Sequence, residues 1–156
     1  DAQIRSSNHL VLEALFKSNG ANTIQMGVVK DDMTSITDLL ETSLLKADIV
    51  VTTGGVSVGD YDFVQDVIKD KLKAEVLFHG VNIKPGMHIL VALKDEKIIV
   101  ALPGFAYSST ILSRISSISL PASIFNISIL LDLISLSKSK NTNENFLDFF
   151  IIPISL

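Results

Sequence analysis

Helical and extended hydrophobic patterns alternate along the first 102 residues of the chain. Apolar residues at helical spacing predict helices over 34–46 and 63–72, and another after the capping residues Ser6-Ser7-Asn8. Alternating or densely β-branched residues predict strands, at positions 23–29, 49–53, 75–78, 89–93 and 97–102. Such strand–helix–strand repeats favour an α/β fold with at least three parallel strands, centred on 49–53, and helices on both faces.

The last two predicted strands differ from the others because only Lys94-Asp95-Glu96 separates them. So short a connection is typical of an antiparallel hairpin. We therefore expect a mostly parallel but mixed sheet.

The 156 residues are enough for one domain, and 47% of them are hydrophobic, so a full core can form. We predict an α/β domain over 1–120 and a helical or irregular tail over 121–156. Residues 127–136 could add a helix, whereas the apolar end over 146–156 has no partner that the sequence identifies.

Charge and composition exclude several classes of function. The net charge of −4 and the lack of a Lys/Arg-rich stripe argue against nucleic-acid binding. The apolar run after residue 118 is interrupted by Pro121, Asn126 and Asp132, which argues against a membrane span. With no cysteine there is no Cys-ligated zinc and no thiol nucleophile. No signal peptide is visible, so we expect a cytoplasmic protein, and the missing initiator Met suggests a piece of a longer one.

A glycine-rich loop follows the strand predicted over 49–53. Gly54-Gly55 ends the strand, Gly59 allows a second bend, and Asp60 and Asp62 bracket the start of the next helix. A strand, a glycine loop and a helix form the usual phosphate-binding corner of an α/β sheet, and paired carboxylates there suggest a metal ion. The alternative is a strand-to-helix turn without a ligand, with Asp62 as a helix cap, since the loop has neither GxGxxG nor a P-loop Lys.

Two further positions are candidates for the same site. Asp31 and Asp32 follow a predicted strand, where a doubly wound sheet faces its ligand, although an Asp pair before a helix also suits a capping loop. Lys84 precedes a Pro85-Gly86 turn, and its ammonium could attract an anion or lie at the surface.

The string TTGGVSVGDYDFV at 52–64 resembles the loop of the MoeA-type molybdopterin molybdotransferases, which include the gephyrin E domain. The resemblance runs from about 4 to 109 and includes Lys84-Pro85-Gly86 and Leu102-Pro103-Gly104. It implies a three-layer, MogA-like α/β sandwich that binds adenylylated molybdopterin and inserts molybdate with release of AMP. It also implies a homodimer in the full-length protein.

The resemblance further implies roles for individual residues. Asp31 and Asp62 would hold magnesium, and Lys84 would attract molybdate or phosphate; these three are the candidate catalytic residues. The residues implied to bind the pterin are Thr53, Gly54, Gly55, Val56, Ser57, Gly59, Asp60, Pro85, Gly86, Pro103, Gly104 and Ser108.

The chain departs from the family pattern at Ser6, Gly80, Met87-His88 and Phe105-Ala106. Active sites of the family also use other domains and a dimer partner, so we expect this chain alone to insert molybdenum poorly. Two alternatives remain: an adenylyltransferase or CinA-like nucleotide-processing enzyme of the same fold, and a non-catalytic module that binds pterin or a protein partner.

Overall fold

The computed structural model describes residues 8–18, 21–56, 63–82, 87–104 and 148–155. The helical elements are α1 (Asn8–Ser18), α2 (Met33–Leu44) and α3 (Phe63–Asp66), which continues into a π-helical segment, Val67–Lys71. The strands are β1 (Asn22–Gln25), β2 (Val29–Lys30), β3 (Ile49–Thr53), β4 (Glu75–His79), β5 (Leu90–Lys94), β6 (Lys97–Leu102) and β7 (Asp148–Ser155).

The strands of the described residues form one mixed sheet in the order β1-β7-β3-β6-β5-β4, with β2 pairing β7 beside β1. The pairs β1–β7, β2–β7, β7–β3 and β3–β6 are parallel, whereas β6–β5 and β5–β4 are antiparallel. The predicted mixed sheet centred on 49–53 and the predicted hairpin are both confirmed.

Alternate residues of β3 face two different hydrophobic layers, as the pleat of a strand requires. Val50 packs with Ile36 and Leu40 of α2 and with Val67, on one side of the sheet. Ile49 and Val51 pack in a second cluster that contains Leu12 of α1. Helices therefore cover both faces of the sheet, and the α/β/α layering expected from the sequence is confirmed.

Local chemistry explains where α2 begins and which face it buries. The Asp32 carboxylate accepts a hydrogen bond from the Ser35 backbone N–H at 2.8 Å, a donor that no earlier turn of the helix can satisfy. Ile36 and Leu40, one turn apart, are buried, whereas Leu45, just after the helix, is 84% exposed.

The C-terminal strand β7 is the largest departure from the sequence-based prediction. It lies between β1 and β3, and its residues Ile151, Ile152 and Ile154 are buried. The part of the predicted tail over 148–155 is therefore a central strand, so the prediction of a helical or irregular tail was wrong there, and the apolar end has β1, β2 and β3 as partners. Residues 105–147 contain the predicted domain boundary at 120 and lie outside the described residues, so that boundary stays a prediction.

Three local details also differ from the prediction. The strand expected over 23–29 is divided into β1 and β2 by Gly27, which has a φ of +83°. The apolar residues at helical spacing that predict α1 include Leu10 and Val11, yet both are exposed, and the buried apolar side chain is Leu12. The second half of the helix expected over 63–72 is π-helical. None of the helices in the described ranges is both long and apolar enough to cross a membrane.

The position of β7 predicts a large stability effect at Ile152. Replacing Ile152 by Ala should lower the free energy of unfolding by about 2–5 kcal/mol, because a large side chain is removed from a close-packed layer. The exposed Leu45→Ala change is the control and should stay within about 0.5 kcal/mol of the parent. Urea titration of the full chain measures both, and a loss below about 1 kcal/mol for Ile152→Ala would place β7 outside the core.

Candidate functional site

The candidate residues come from segments that meet at one edge of the sheet. Strands β7, β3 and β6 are parallel, with Thr53 paired to Leu102 on one side and to Pro153 on the other. The C-terminal ends of these three strands therefore lie at the same edge of the sheet. The Gly54-Gly55 turn follows β3, and the Pro103-Gly104 turn follows β6 at the same level.

The connection between β4 and β5 reaches this edge too. His79 at the end of β4 pairs with Leu90 at the start of β5, and Leu90 pairs with Ala101 near the end of β6. Backbone hydrogen bonds close the base of the connection, from the Gly80 N–H to the Ile89 carbonyl at 2.7 Å and from the Val81 N–H to the Met87 carbonyl at 2.9 Å. The candidate residues 84–86 belong to this connection in the sequence.

The two glycine turns pack against each other through their main chains. The Gly54 N–H donates to the Leu102 carbonyl at 2.9 Å. A Cβ built on Gly104 would lie 3.3 Å from the Gly54 Cα. Any side chain at Gly104 would thus crowd the other turn, and this contact explains a glycine at that position. The backbone itself, rather than side chains, forms the floor of the candidate site.

Gly55 and Val56 connect this floor to the core. Gly55 has a φ of +68°, and a Cβ built on it would lie 2.5 Å from Cγ2 of Val64. Helix α3 therefore packs directly on the turn. The Val56 side chain is buried in the layer of α2 and α3, so a ligand contact from Val56 would have to come from its main chain.

Two buried hydroxyls lie at the end of β3. Thr52 is fully buried and Thr53 is 2% exposed, and within the described part of the chain neither Oγ1 atom has a hydrogen-bond partner. An unsatisfied buried hydroxyl is uncommon in proteins and is often explained by a bound water, ion or ligand. Of the two residues, Thr53 directly precedes the glycine turn.

Asn8 is a site residue that the sequence-based list omitted. It begins α1, is 4% exposed, and donates from Nδ2 to the Gly104 carbonyl at 2.6 Å. This bond joins the helix on one face of the sheet to the second glycine turn. The signal was present in the sequence, since Asn8 lies within the region that the resemblance covers, but Ser6-Ser7-Asn8 suggested only a helix cap.

The adjacent aspartates Asp31 and Asp32 have different surroundings. Both oxygens of Asp32 are engaged by Ser35, through its N–H at 2.8 Å and its hydroxyl at 2.7 Å. These bonds, first the one from the backbone, lower the pKa of the Asp32 carboxyl. Asp31 directly follows β2, whose Lys30 pairs with Ser155 of β7, so Asp31 lies at the carboxyl edge. It is half-buried, and its Oδ1 is shielded from solvent.

The described ranges contain no group of three or more His, Cys, Asp or Glu side chains that could hold a metal ion. Asp31 is the member of the predicted magnesium pair that these ranges include. The predicted site residues that lie outside the described ranges are Ser57, Gly59, Asp60, Asp62, Lys84, Pro85, Gly86 and Ser108. Their roles stay predictions.

Comparison with known proteins relates the domain as a whole to molybdopterin-binding proteins. Residues 1–117 match the family described as "Probable molybdopterin binding domain". The chain is 40% identical over 105 residues to a molybdopterin molybdenumtransferase of Nostoc sp. PCC 7120, covering 65% of this chain and 24% of that protein. It is 40% identical over 104 residues to the Staphylococcus aureus Mu50 protein of the same name, covering 67% and 25%. The chain thus spans about a quarter of the length of these curated relatives.

Solved structures agree with the fold. The molybdopterin biosynthesis MoeA protein of Pyrococcus horikosii superposes with a TM-score of 0.65 at 29% identity, over 87% of this chain and 30% of that one. The MoaB protein of Thermus thermophilus superposes with a TM-score of 0.55 at 15% identity, over 83% and 87%. The second similarity shows the shared fold only.

The crowding at Gly55 predicts a larger cost for an added methyl group than at Gly27. Both residues have positive φ, but a Cβ on Gly27 would have nothing within 4 Å. Gly27→Ala should therefore cost about 1–2 kcal/mol of unfolding free energy from backbone strain alone. Gly55→Ala should lose about 1–3 kcal/mol more, because the new methyl overlaps Val64.

The double variant Gly55→Ala/Val64→Ala separates strain from overlap, since it removes the Val64 Cγ2. Its loss should be smaller than the sum of the two single losses, by about 0.5–3 kcal/mol in urea titrations. Additive losses, or equal losses for Gly27→Ala and Gly55→Ala, would show that α3 does not press on the turn.

Proposed function

The chain belongs to the family of probable molybdopterin-binding domains, and we propose that it binds adenylylated molybdopterin at the carboxyl edge of its sheet. The proposed step lies in the cytoplasmic synthesis of the molybdenum cofactor, where molybdate is inserted and AMP is released. The names of the relatives that are 40% identical support this assignment.

The observation that carries the proposal is the close packing of the two glycine turns beside a buried Thr53 hydroxyl, which has no partner among the described residues. Turns without side chains let a phosphate approach main-chain N–H groups closely, and such groups bind anions without needing a positive side chain. A phosphate oxygen of the ligand would also supply a hydrogen-bond partner for the Thr53 hydroxyl.

Charged side chains at the rim would complete the site. The Asp31 carboxylate is half-buried at this edge, and a carboxylate oxygen is the hard donor that magnesium prefers. We assign Asp31 and Asp62 to hold magnesium, which when bound would neutralise charge on the phosphoanhydride. Lys84, on the connection between β4 and β5, would attract molybdate as a point charge.

The matched region is only about a quarter of the length of these relatives, so the complete activity is proposed for the full-length protein. We propose that its other regions and a second copy contribute further residues to the site. Within the domain described here, the glycine turns position the anionic pterin, Asp31 and Asp62 present their carboxylates, and Lys84 brings the oxyanion near.

Titration with molybdopterin tests the binding step. The purified chain should bind the pterin, and affinity for the adenylylated form should rise when magnesium is added. Absence of binding in both conditions would refute the proposal. In the full-length protein, incubation with adenylylated molybdopterin and molybdate should release AMP, whereas transfer of AMP onto free molybdopterin would instead indicate an adenylyltransferase.

The two adjacent aspartates allow a matched test of the metal role in the full-length protein. Asp31→Asn should lower AMP release at limiting magnesium at least about tenfold, since a loss of about 1.4 kcal/mol of transition-state stabilisation is sufficient. Asp32→Asn removes the same charge one residue away but keeps an acceptor for Ser35, so release should stay within about twofold of the parent. Equal AMP release by the two variants across a magnesium titration would show that Asp31 does not hold the metal.

A further inference from the structure

The C-terminal strand β7 extends beyond its neighbour β3 into the candidate site. Thr53, the last residue of β3, pairs with Pro153, and β7 continues for two more residues, where Ile154 and Ser155 pair with β2. The end of β7 therefore lies between Asp31, which follows β2, and the glycine turn, which follows β3.

Ile154 contacts the glycine turn through both its main chain and its side chain. A Cβ built on Gly54 would lie 3.2 Å from the Ile154 carbonyl oxygen. A Cβ built on Gly55 would lie 3.7 Å from the Ile154 Cδ1 and 2.5 Å from the Val64 Cγ2. Ile154 is 8% exposed, so it is held in this position by the core. Gly55 is thus close to both β7 and α3.

We propose that Ile154 is a positioning residue for the ligand site, and that docking of β7 and binding of the pterin are thermodynamically linked. The identity of the ligand rests on the proposed function. The role of Ile154 is to fix the conformation of the Gly54-Gly55 turn, so that the turn presents one arrangement of its backbone to the ligand.

The physical reason lies in the freedom of glycine. Gly54 and Gly55 have φ values of +97° and +68°, in a region where glycine has no Cβ to restrict it, so the conformation of the turn depends on its neighbours. A ligand that needs one arrangement of the turn must bind better when Ile154 supports that arrangement. By linkage, the same ligand must then stabilise the docked strand by the same factor.

A pair of matched substitutions in the full chain tests this role. Ile154→Val removes the Cδ1 atom next to Gly55, and Ile152→Val removes the same group two residues earlier on the same face of β7. Thermal melts should show similar losses of stability for the two variants. The dissociation constant for molybdopterin should rise at least about fivefold in Ile154→Val, whereas in Ile152→Val it should change less than about twofold.

A second measurement does not depend on the ligand. The Gly54 amide donates to Leu102, so its hydrogen exchange reports the order of the turn in the free chain. Exchange at Gly54 should be faster in Ile154→Val than in Ile152→Val, and molybdopterin should slow exchange of the β7 amides in the parent. Equal exchange rates and equal affinities in the two variants would overturn the role of Ile154.

The two measurements also separate this inference from the proposed function. If the parent does not bind molybdopterin, the proposed function fails, while Gly54 exchange still decides whether Ile154 orders the turn. If the parent binds but both variants bind as the parent does, the pterin assignment stands and the linkage with β7 is refuted.

Discussion

The pairing of β3 on both sides is the interaction on which the rest of the structure depends. Ile49–Thr53 is fully buried, and β6 and β7 run parallel to it in continuous register. A buried strand must satisfy its backbone groups within the sheet, since water cannot reach them. The same registers set Leu102 and Pro153 at the level of Thr53. The backbone hydrogen bonds that pair these strands thus also fix the position along the sheet at which each segment of the site begins.

Local sequence signals predicted most of this arrangement, because they report chemistry within a few residues. The glycine turn after β3, the hairpin of β5 and β6, and the helix after Asp32 all depend on neighbouring residues, and all were predicted. The insertion of β7 was not, because it pairs with strands that lie 100 or more residues earlier in the chain. Residues 149–152 have the continuous apolar character of a buried parallel strand, although a proline such as Pro153 is found mostly on edge strands or at bulges.

The position of Pro153 shows how the sheet tolerates it. It lies opposite the last residue of β3, and pairing with β2 starts only at Ile154. The missing N–H therefore falls where one neighbouring strand ends and the other begins, so little of the ladder is lost. Residue type alone favours an edge strand for a proline, whereas here the proline lies in a central strand, at the point where its pairing with β3 ends. The long-range register distinguishes these two positions.

The same limit applies to the site. Asp31 and Asp32 are identical in type and adjacent in sequence, and periodicity could not separate their roles. Contacts do so: Ser35 engages both oxygens of Asp32, whereas Asp31 lies at the edge next to β7. Asn8 is comparable, since its role in holding Gly104 depends on a contact with a residue 96 positions away.

The departure at Gly80 has a backbone explanation. Gly80, one of the departures from the family pattern, has a φ of +83° and donates from its N–H to the Ile89 carbonyl at 2.7 Å. A Cβ there would meet the Met87 carbonyl oxygen at 3.6 Å, which is an ordinary contact, so space does not exclude a side chain. The left-handed backbone does disfavour one, at about 1–2 kcal/mol. The connection between β4 and β5 has thus adopted a turn that suits glycine, and in the proposed site attraction of the anion by this connection falls to Lys84.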